Sequence, residues 1–188
     1  MKGAQTRQKF VDTANTLFQR HGFHGVGLSR LIEASGAPKG SFYFHFPGGK
    51  KELAIAAIEK SRQDVLALLH FAATYADSAA DYVRTIGKGL QAWITQSDFS
   101  EGCPVATFTL ELASTSAEIA KLCNAAYQDW NDCISGFLES TGIEAERTQK
   151  LATLILSSYE GAVIMCRAQK QLTPIKNVSD ELSLLLRV

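Results

Sequence analysis

The sequence predicts an all-α fold. Apolar residues recur at the i, i+3, i+4 spacing of a helical face through successive long segments, and turns containing Gly or Pro separate those segments. One stretch, Val105 to Ala113 (VATFTLELA), alternates enough to suggest a strand. A lone strand would have no partner among helical neighbours, so the stretch is read as a short buried helix.

The first helix is expected over Thr6–His21, with Phe10, Ala14, Leu17 and Phe18 on its inner face. Thr6 is its expected cap and Gly22 its stop. In the next helix Leu28, Leu31 and Ile32 share one face, and Ser35-Gly36 ends it, with Gly36 suited to a left-handed residue. Pro38 is tolerated at the first position of a new helix, where its missing N–H is an orphan anyway. That helix is expected over Pro38–Phe44, because Pro47-Gly48-Gly49 prevents its extension. Helix, Gly-containing turn, helix is the pattern that lays its second helix in the DNA major groove. Phe42 and Phe46, four apart, can pack on Leu31 and Ile32. Lys39, Gly40, Ser41, Tyr43 and His45 then point elsewhere, offering a cation, two hydroxyls, an imidazole and room for close approach.

Further helices are expected over Lys50 to about Leu69, Asp77–Gln96, Val105–Ala113, Ser116–Ser140, Glu144 to about Lys170, and about Asn177–Leu186. The helix from Lys50 has an inner stripe through Leu53, Ala57, Ile58 and Ser61, and links the two halves of the chain. The stripe of the Glu144 helix reads Leu151, Leu154, Ile155, Ser158, Ala162, Met165 and Cys166. Consecutive Leu184, Leu185 and Leu186 give the last helix more apolar surface than one core face needs, which points to a two-fold interface.

With 188 residues, 46% hydrophobic and 20% charged, the composition is that of an ordinary globular protein. No run of 18 apolar residues and no charged-then-apolar N-terminal signal is found, so a cytoplasmic location without a membrane partner is expected. The net charge of zero hides an asymmetry. Residues 1–62 hold ten Lys and Arg against four Asp and Glu, a surplus of six, which residues 63–188 reverse. A basic head on an acidic body fits nucleic-acid binding confined to one end.

Cys103, Cys123, Cys133 and Cys166 are too dispersed for a zinc site, and His21 and His24 lack an acidic or Cys partner, so no metal or cofactor is expected. No nucleophile elbow, phosphate-binding loop or His-Glu-x-x-His is present, and an enzyme is not expected. Aromatic and soft residues of the acidic body, namely Trp93, Phe99, Cys103, Phe108, Tyr127, Trp130, Phe137 and Tyr159, are candidates to line a pocket for a flat apolar ligand. Glu111 is a possible polar anchor there.

GAPKGSFYFHFPGGKKEL, with the lead-in TRQKFVDTANTLFQRHGF, resembles the DNA-binding region of the TetR family of transcriptional repressors. The double glycine after Pro47 and the run Gly102-Cys103-Pro104-Val105-Ala106 resemble the branch of the lincomycin-resistance and flavonoid-responsive repressors. The resemblance implies a helix-turn-helix domain over residues 1–50 and a helical ligand-binding and dimerisation domain over 51–188. It implies a homodimer on a palindromic double-stranded operator, released by a small-molecule effector. DNA contacts are then expected from Gly27, Ser29, Pro38, Lys39, Gly40, Ser41 and Tyr43, with His45 and Lys50 on phosphates. The family often has Thr where Gly27 stands, so a backbone N–H is expected to take over that phosphate contact. The dimer interface is expected to include Leu154, Ser158, Gly161, Ala162, Met165, Leu182 and Leu185. The alternative is a redox- or electrophile-responsive regulator acting through Cys103.

Overall fold

The computed structural model describes residues 2–187, with Lys2 described by its backbone alone. Nine α-helices and no strand occur among the described residues: α1 (Lys2–His21), α2 (Leu28–Ser35), α3 (Lys39–His45), α4 (Gly49–Tyr75), α5 (Ala79–Gln96), α6 (Pro104–Leu112), α7 (Ala117–Ser140), α8 (Ala145–Gln169) and α9 (Thr173–Leu185). The stretch Val105–Ala113 is helical through Leu112, with Ala113 as the C-cap, as its surroundings required.

Several ends differ from the sequence reading. Thr6 lies inside α1, which starts four residues before it, so it is no cap. The α4 helix runs past Leu69 to Tyr75 because no Gly or Pro interrupts it. Asp77 stays outside α5; Ser78 caps that helix, its hydroxyl accepting the Asp81 N–H at 3.1 Å. Pro174 is accommodated in the first turn of α9, which therefore starts before Asn177.

The chain divides into two compact units, residues 1–63 with 103–126 and residues 64–102 with 127–188. The expected border at 50/51 falls inside the first of them.

The first unit is built on aromatic packing. Phe10, Phe18, Phe42, Phe46 and Phe108 are fully buried. The Phe10 ring meets Phe42 at 5.3 Å and Phe46 at 6.1 Å, both edge to face, so α1 is the surface on which α3 rests. Phe108 brings α6 against α1, its ring 5.3 Å from Phe18. A buried polar tie joins α1 to α4: Ser61 donates its hydroxyl to Asn15 Oδ1 at 2.7 Å.

In the second unit Tyr82 stacks on Phe137 with 4.1 Å between centroids. Tyr159 of α8 donates its hydroxyl to the Val83 carbonyl at 2.5 Å and pairs with Ser179 Oγ at 3.1 Å. Burial pushes its pKa up to about 12, with the Ser179 contact opposing. Gly87 lets α5 approach both groups, since a Cβ there would stand 2.0 Å from Ser179 Oγ. By length and composition α8 is apolar enough to cross a membrane, yet Leu151, Ile155, Tyr159, Ala162 and Cys166 are buried in its own unit.

Candidate nucleic-acid interface

The helix-turn-helix is set by local chemistry. Gly36 takes φ +63°, the left-handed conformation that ends α2, and donates its N–H to the Glu33 carbonyl at 3.1 Å. Ser35 then ties the turn, donating its hydroxyl to the Ile32 carbonyl at 2.7 Å and accepting the Ala37 N–H at 3.2 Å. Pro38 sits just outside α3 with ψ 135°, the extended value a cap residue needs. Leu31, Ile32, Phe42 and Phe46 are buried, as their spacing predicts.

The remaining residues of α3 face outward. Lys39 and Gly40 are exposed, and a Cβ built on Gly40 meets nothing within 4 Å. Tyr43 is 53% exposed, its ring braced edge to face against Phe42 at 5.3 Å. Ser41 and His45 are half-buried at the flanks, and the Ser41 hydroxyl donates to the Pro38 carbonyl at 2.6 Å, leaving its lone pairs outward. Gly27 stands at the α2 N-cap in extended conformation without a side-chain cap, and Ser29 is exposed in the first turn. The helix start thus keeps backbone donors that no capping side chain occupies. Phe44, which the sequence reading left unassigned, is 81% exposed on the same helix.

Lys50 is turned elsewhere than expected. Its ammonium lies 4.0 Å from the centroid of the Phe23 ring and donates to the Phe23 carbonyl at 2.5 Å. Burial lowers its pKa, an effect that the nearby Glu111 carboxylate partly offsets. A buried cation needs an acceptor, and the turn between α1 and α2 supplies it. Glu111 is likewise redirected: Oε2 accepts the His24 N–H at 2.9 Å, and Oε1 would lie 2.1 Å from a Cβ on Gly22. It serves the Gly22–His24 turn rather than a pocket.

Residues 10–57 match the pattern of the bacterial regulatory proteins of the tetR family, and residues 79–181 match the C-terminal domain of LmrA/YxaF-like transcriptional regulators. The HTH-type transcriptional regulator LmrA of Bacillus subtilis is 30% identical over 179 residues, 95% of each chain. The chain belongs to the TetR family of transcriptional regulators.

A second Bacillus subtilis relative, the uncharacterized HTH-type transcriptional regulator YxaF, is 32% identical over 185 residues, covering 97% of this chain and 95% of its own. The crystal structure of a TetR transcriptional regulator from Legionella pneumophila has the same fold, with a TM-score of 0.83, 20% identity and coverage of 95% and 96%. This TetR-family chain is accordingly a DNA-binding regulator and not an enzyme.

The eight residues singled out for an effector are divided between the two units of this TetR-family regulator. Phe108 is core to the first unit beside Phe18 and Phe23. Trp130 and Tyr159 are buried core of the second. Tyr127 is half-buried, 5.4 Å from Trp130 edge to face. Trp93 donates its indole N–H to Glu101 at 3.3 Å, and Phe99 adopts φ +56° in the α5–α6 loop, where Lys170 reaches its carbonyl at 3.3 Å. Cys103, half-buried, caps α6, its sulfur accepting the Ala106 N–H at 3.5 Å. A cleft of about 370 Å³ in the second unit is lined by Ala76, Ser78, Ala79, Phe137, Ile143 and Leu186 among others, so that Phe137 alone of the candidates lines it.

The interface candidates also separate. Ala162 and Leu182 are buried in their own unit, and Ser158 and Gly161 are half-buried. Leu154, Met165 and Leu185 are exposed, and so are Ile164 and Leu184. Leu154 and Met165 therefore leave the inner stripe of α8: the wide apolar spread of that helix covers two faces, and only one meets α5 and α9.

Proposed function

We propose that the protein is a repressor that binds a palindromic operator as a homodimer and is released by a small apolar or aromatic effector. The observation that carries this reading is the outward face of α3. Lys39, Gly40, Ser41, Tyr43 and His45 are presented on a helix whose other face is locked to α1 by Phe42 and Phe46. Ser29 and the first backbone N–H groups after Gly27 add phosphate contacts, and Pro38, which has no N–H to donate, adds an apolar contact at the α3 start. Operation inside the cytoplasm follows from this role.

One helix-turn-helix reads one half-site, so two copies are needed, with half-sites about one helical turn apart. The exposed Leu154, Ile164 and Met165 of α8 and Leu184 and Leu185 of α9 supply the apolar surface that a two-fold partner covers, with Ser158 and Gly161 allowing close approach. Effector binding within the second unit shifts the equilibrium toward a state with lower operator affinity.

The test is fluorescence anisotropy with DNA from upstream of its own gene, for the parent chain and Tyr43→Ala, at two salt concentrations. Tight, salt-sensitive binding that the variant loses supports the reading; equal affinity for random DNA overturns it. A second reading rests on the thiol of Cys103 at the start of α6: oxidation or alkylation there disturbs the helix start. Diamide changing operator affinity in the parent but not in Cys103→Ser would favour it.

A further inference from the structure

The α3 helix and its C-cap carry phenylalanines at three alternate positions, Phe42, Phe44 and Phe46, and only the first and last have a structural task. Successive residues of an α-helix are about 100° apart, so Phe44 stands about 200° round the axis from Phe42; Phe46, the C-cap, stacks its ring on Phe42 at 5.5 Å. Those two are fully buried, which aims Phe44 straight away from the core. Gly40 lies one turn earlier on that same line, with open space where a Cβ would be. The midline of the outward face is therefore a glycine and a phenylalanine. Lys39 and Tyr43 lie to one side of it, Ser41 and His45 to the other.

An exposed phenylalanine in water is unfavourable by its whole apolar area, and 81% exposure leaves most of this ring unshielded. The ring is nevertheless held, with His45 edge to face at 5.0 Å. Neither midline residue has a hydrogen-bonding side chain. What they can read in a major groove is the one apolar group a base pair displays there, the C5-methyl of thymine. Hydrogen-bond donors and acceptors flank the ring, where they meet neighbouring base edges and phosphates.

We propose that Phe44 is a specificity-determining residue that recognises thymine through its C5-methyl group, with Gly40 letting the helix come close enough for the ring to reach it. This rests on α3 entering the major groove, as proposed for the repressor. It predicts that part of the operator's specificity is apolar and is carried by a single atom group per half-site.

The experiment removes that group alone. A high-affinity duplex is selected from a random library with the parent protein, and each thymine is replaced in turn by deoxyuridine, which lacks only the methyl. Affinities are measured by anisotropy for the parent, Phe44→Ala and Phe44→Leu, with circular dichroism confirming helical folding of each. At one thymine per half-site the parent is expected to weaken about fourfold per methyl removed, the scale of one buried carbon. In Phe44→Ala the same replacement should change affinity by less than about 1.5-fold, and Phe44→Leu should keep part of the sensitivity, as one apolar group can stand in for another. A parent indifferent to every deoxyuridine overturns the proposal, as does a methyl effect that persists undiminished in Phe44→Ala. If selection yields no preferred duplex, the operator-binding reading fails first and this proposal falls with it.

Discussion

Glu111 Oε2 accepts the backbone N–H of His24 at 2.9 Å, across 87 residues of sequence. One residue earlier, the Phe23 carbonyl accepts from Lys50 at 2.5 Å. The turn joining α1 to α2 is thus held by an anion from α6 on its N–H side and by a cation from α4 on its C=O side. Both helices that brace it also help to bury the aromatic core, so the entry to the helix-turn-helix is fixed by charge as well as packing.

Glu111→Ala removes one of these two braces. We expect a loss of about 1 kcal/mol, the net worth of a partly exposed hydrogen bond. That corresponds to a fall of about 2–4 °C in the thermal midpoint of a chain this long. Gly22→Ala is expected to be worse, because φ is +73° and the new Cβ meets the Glu111 carboxylate. Combining the two should cost less than their sum, since the alanine at 111 clears that space; strict additivity in differential scanning fluorimetry would refute the contact.

Lys39 and Lys50 are separated by their salt dependence. Lys39 is exposed on α3, and Lys39→Met should make the slope of log affinity against log salt shallower by about 0.9 for each phosphate no longer neutralised. Lys50 is engaged with Phe23, so Lys50→Met should leave that slope in place and lower the thermal midpoint instead. Anisotropy titrations at four salt concentrations distinguish the two, and a shallower slope for Lys50→Met would assign it to phosphate after all.

The apolar stripe of α8 gives a prediction about mass. Leu154→Glu places a charge on an exposed position, so the chain should fold, but sediment at half the mass of the parent. Leu182→Glu, at a buried position, should instead lower the yield of folded protein. A parent chain that is monomeric at micromolar concentration, or a Leu154→Glu dimer, would remove the stripe from the interface.

Tyr159 predicts an alkaline limit. Its folded pKa is raised above the usual 10.0 to about 12, so its contribution is complete below pH 10 and is lost as pH climbs toward 12. The loss is on the order of 2 kcal/mol over that window. Tyr159→Phe should be about 1 kcal/mol less stable at neutral pH, lacking the bond to the Val83 carbonyl, and should lose less between pH 10 and 12. Parallel stability curves for the two proteins across that range would show that Tyr159 is not the titrating group.

Turn chemistry is local, which is why the helix-turn-helix could be read from residues alone. Gly36, Pro38 and the Phe42–Phe46 spacing each depend on neighbours within a few positions. Long-range partners are another matter. A lysine opening a helix looks like a free cation, and nothing near Lys50 in sequence announces the carbonyl of Phe23 beneath it. Leu154 and Met165 look like core because the same side chains serve a helix's own core and a second copy equally well. Phe44 is a different case: the helical period sets it opposite the buried Phe42, but a residue turned from the core has no evident task until its 81% exposure is seen.

Phe108 belongs to α6, and α6 belongs to the first unit, although more than forty residues separate it from the end of that unit's N-terminal segment. The reading head is consequently not an excisable module. A chimera that carries only the first fifty or sixty residues onto another sensor would leave Phe18 and Phe23 without the Phe108 ring and the Gly22–His24 turn without Glu111. Recombination that preserves operator binding has to move two pieces of chain together. Grafts joined inside the α5–α6 loop and beyond Ala126 are the ones that keep the head whole.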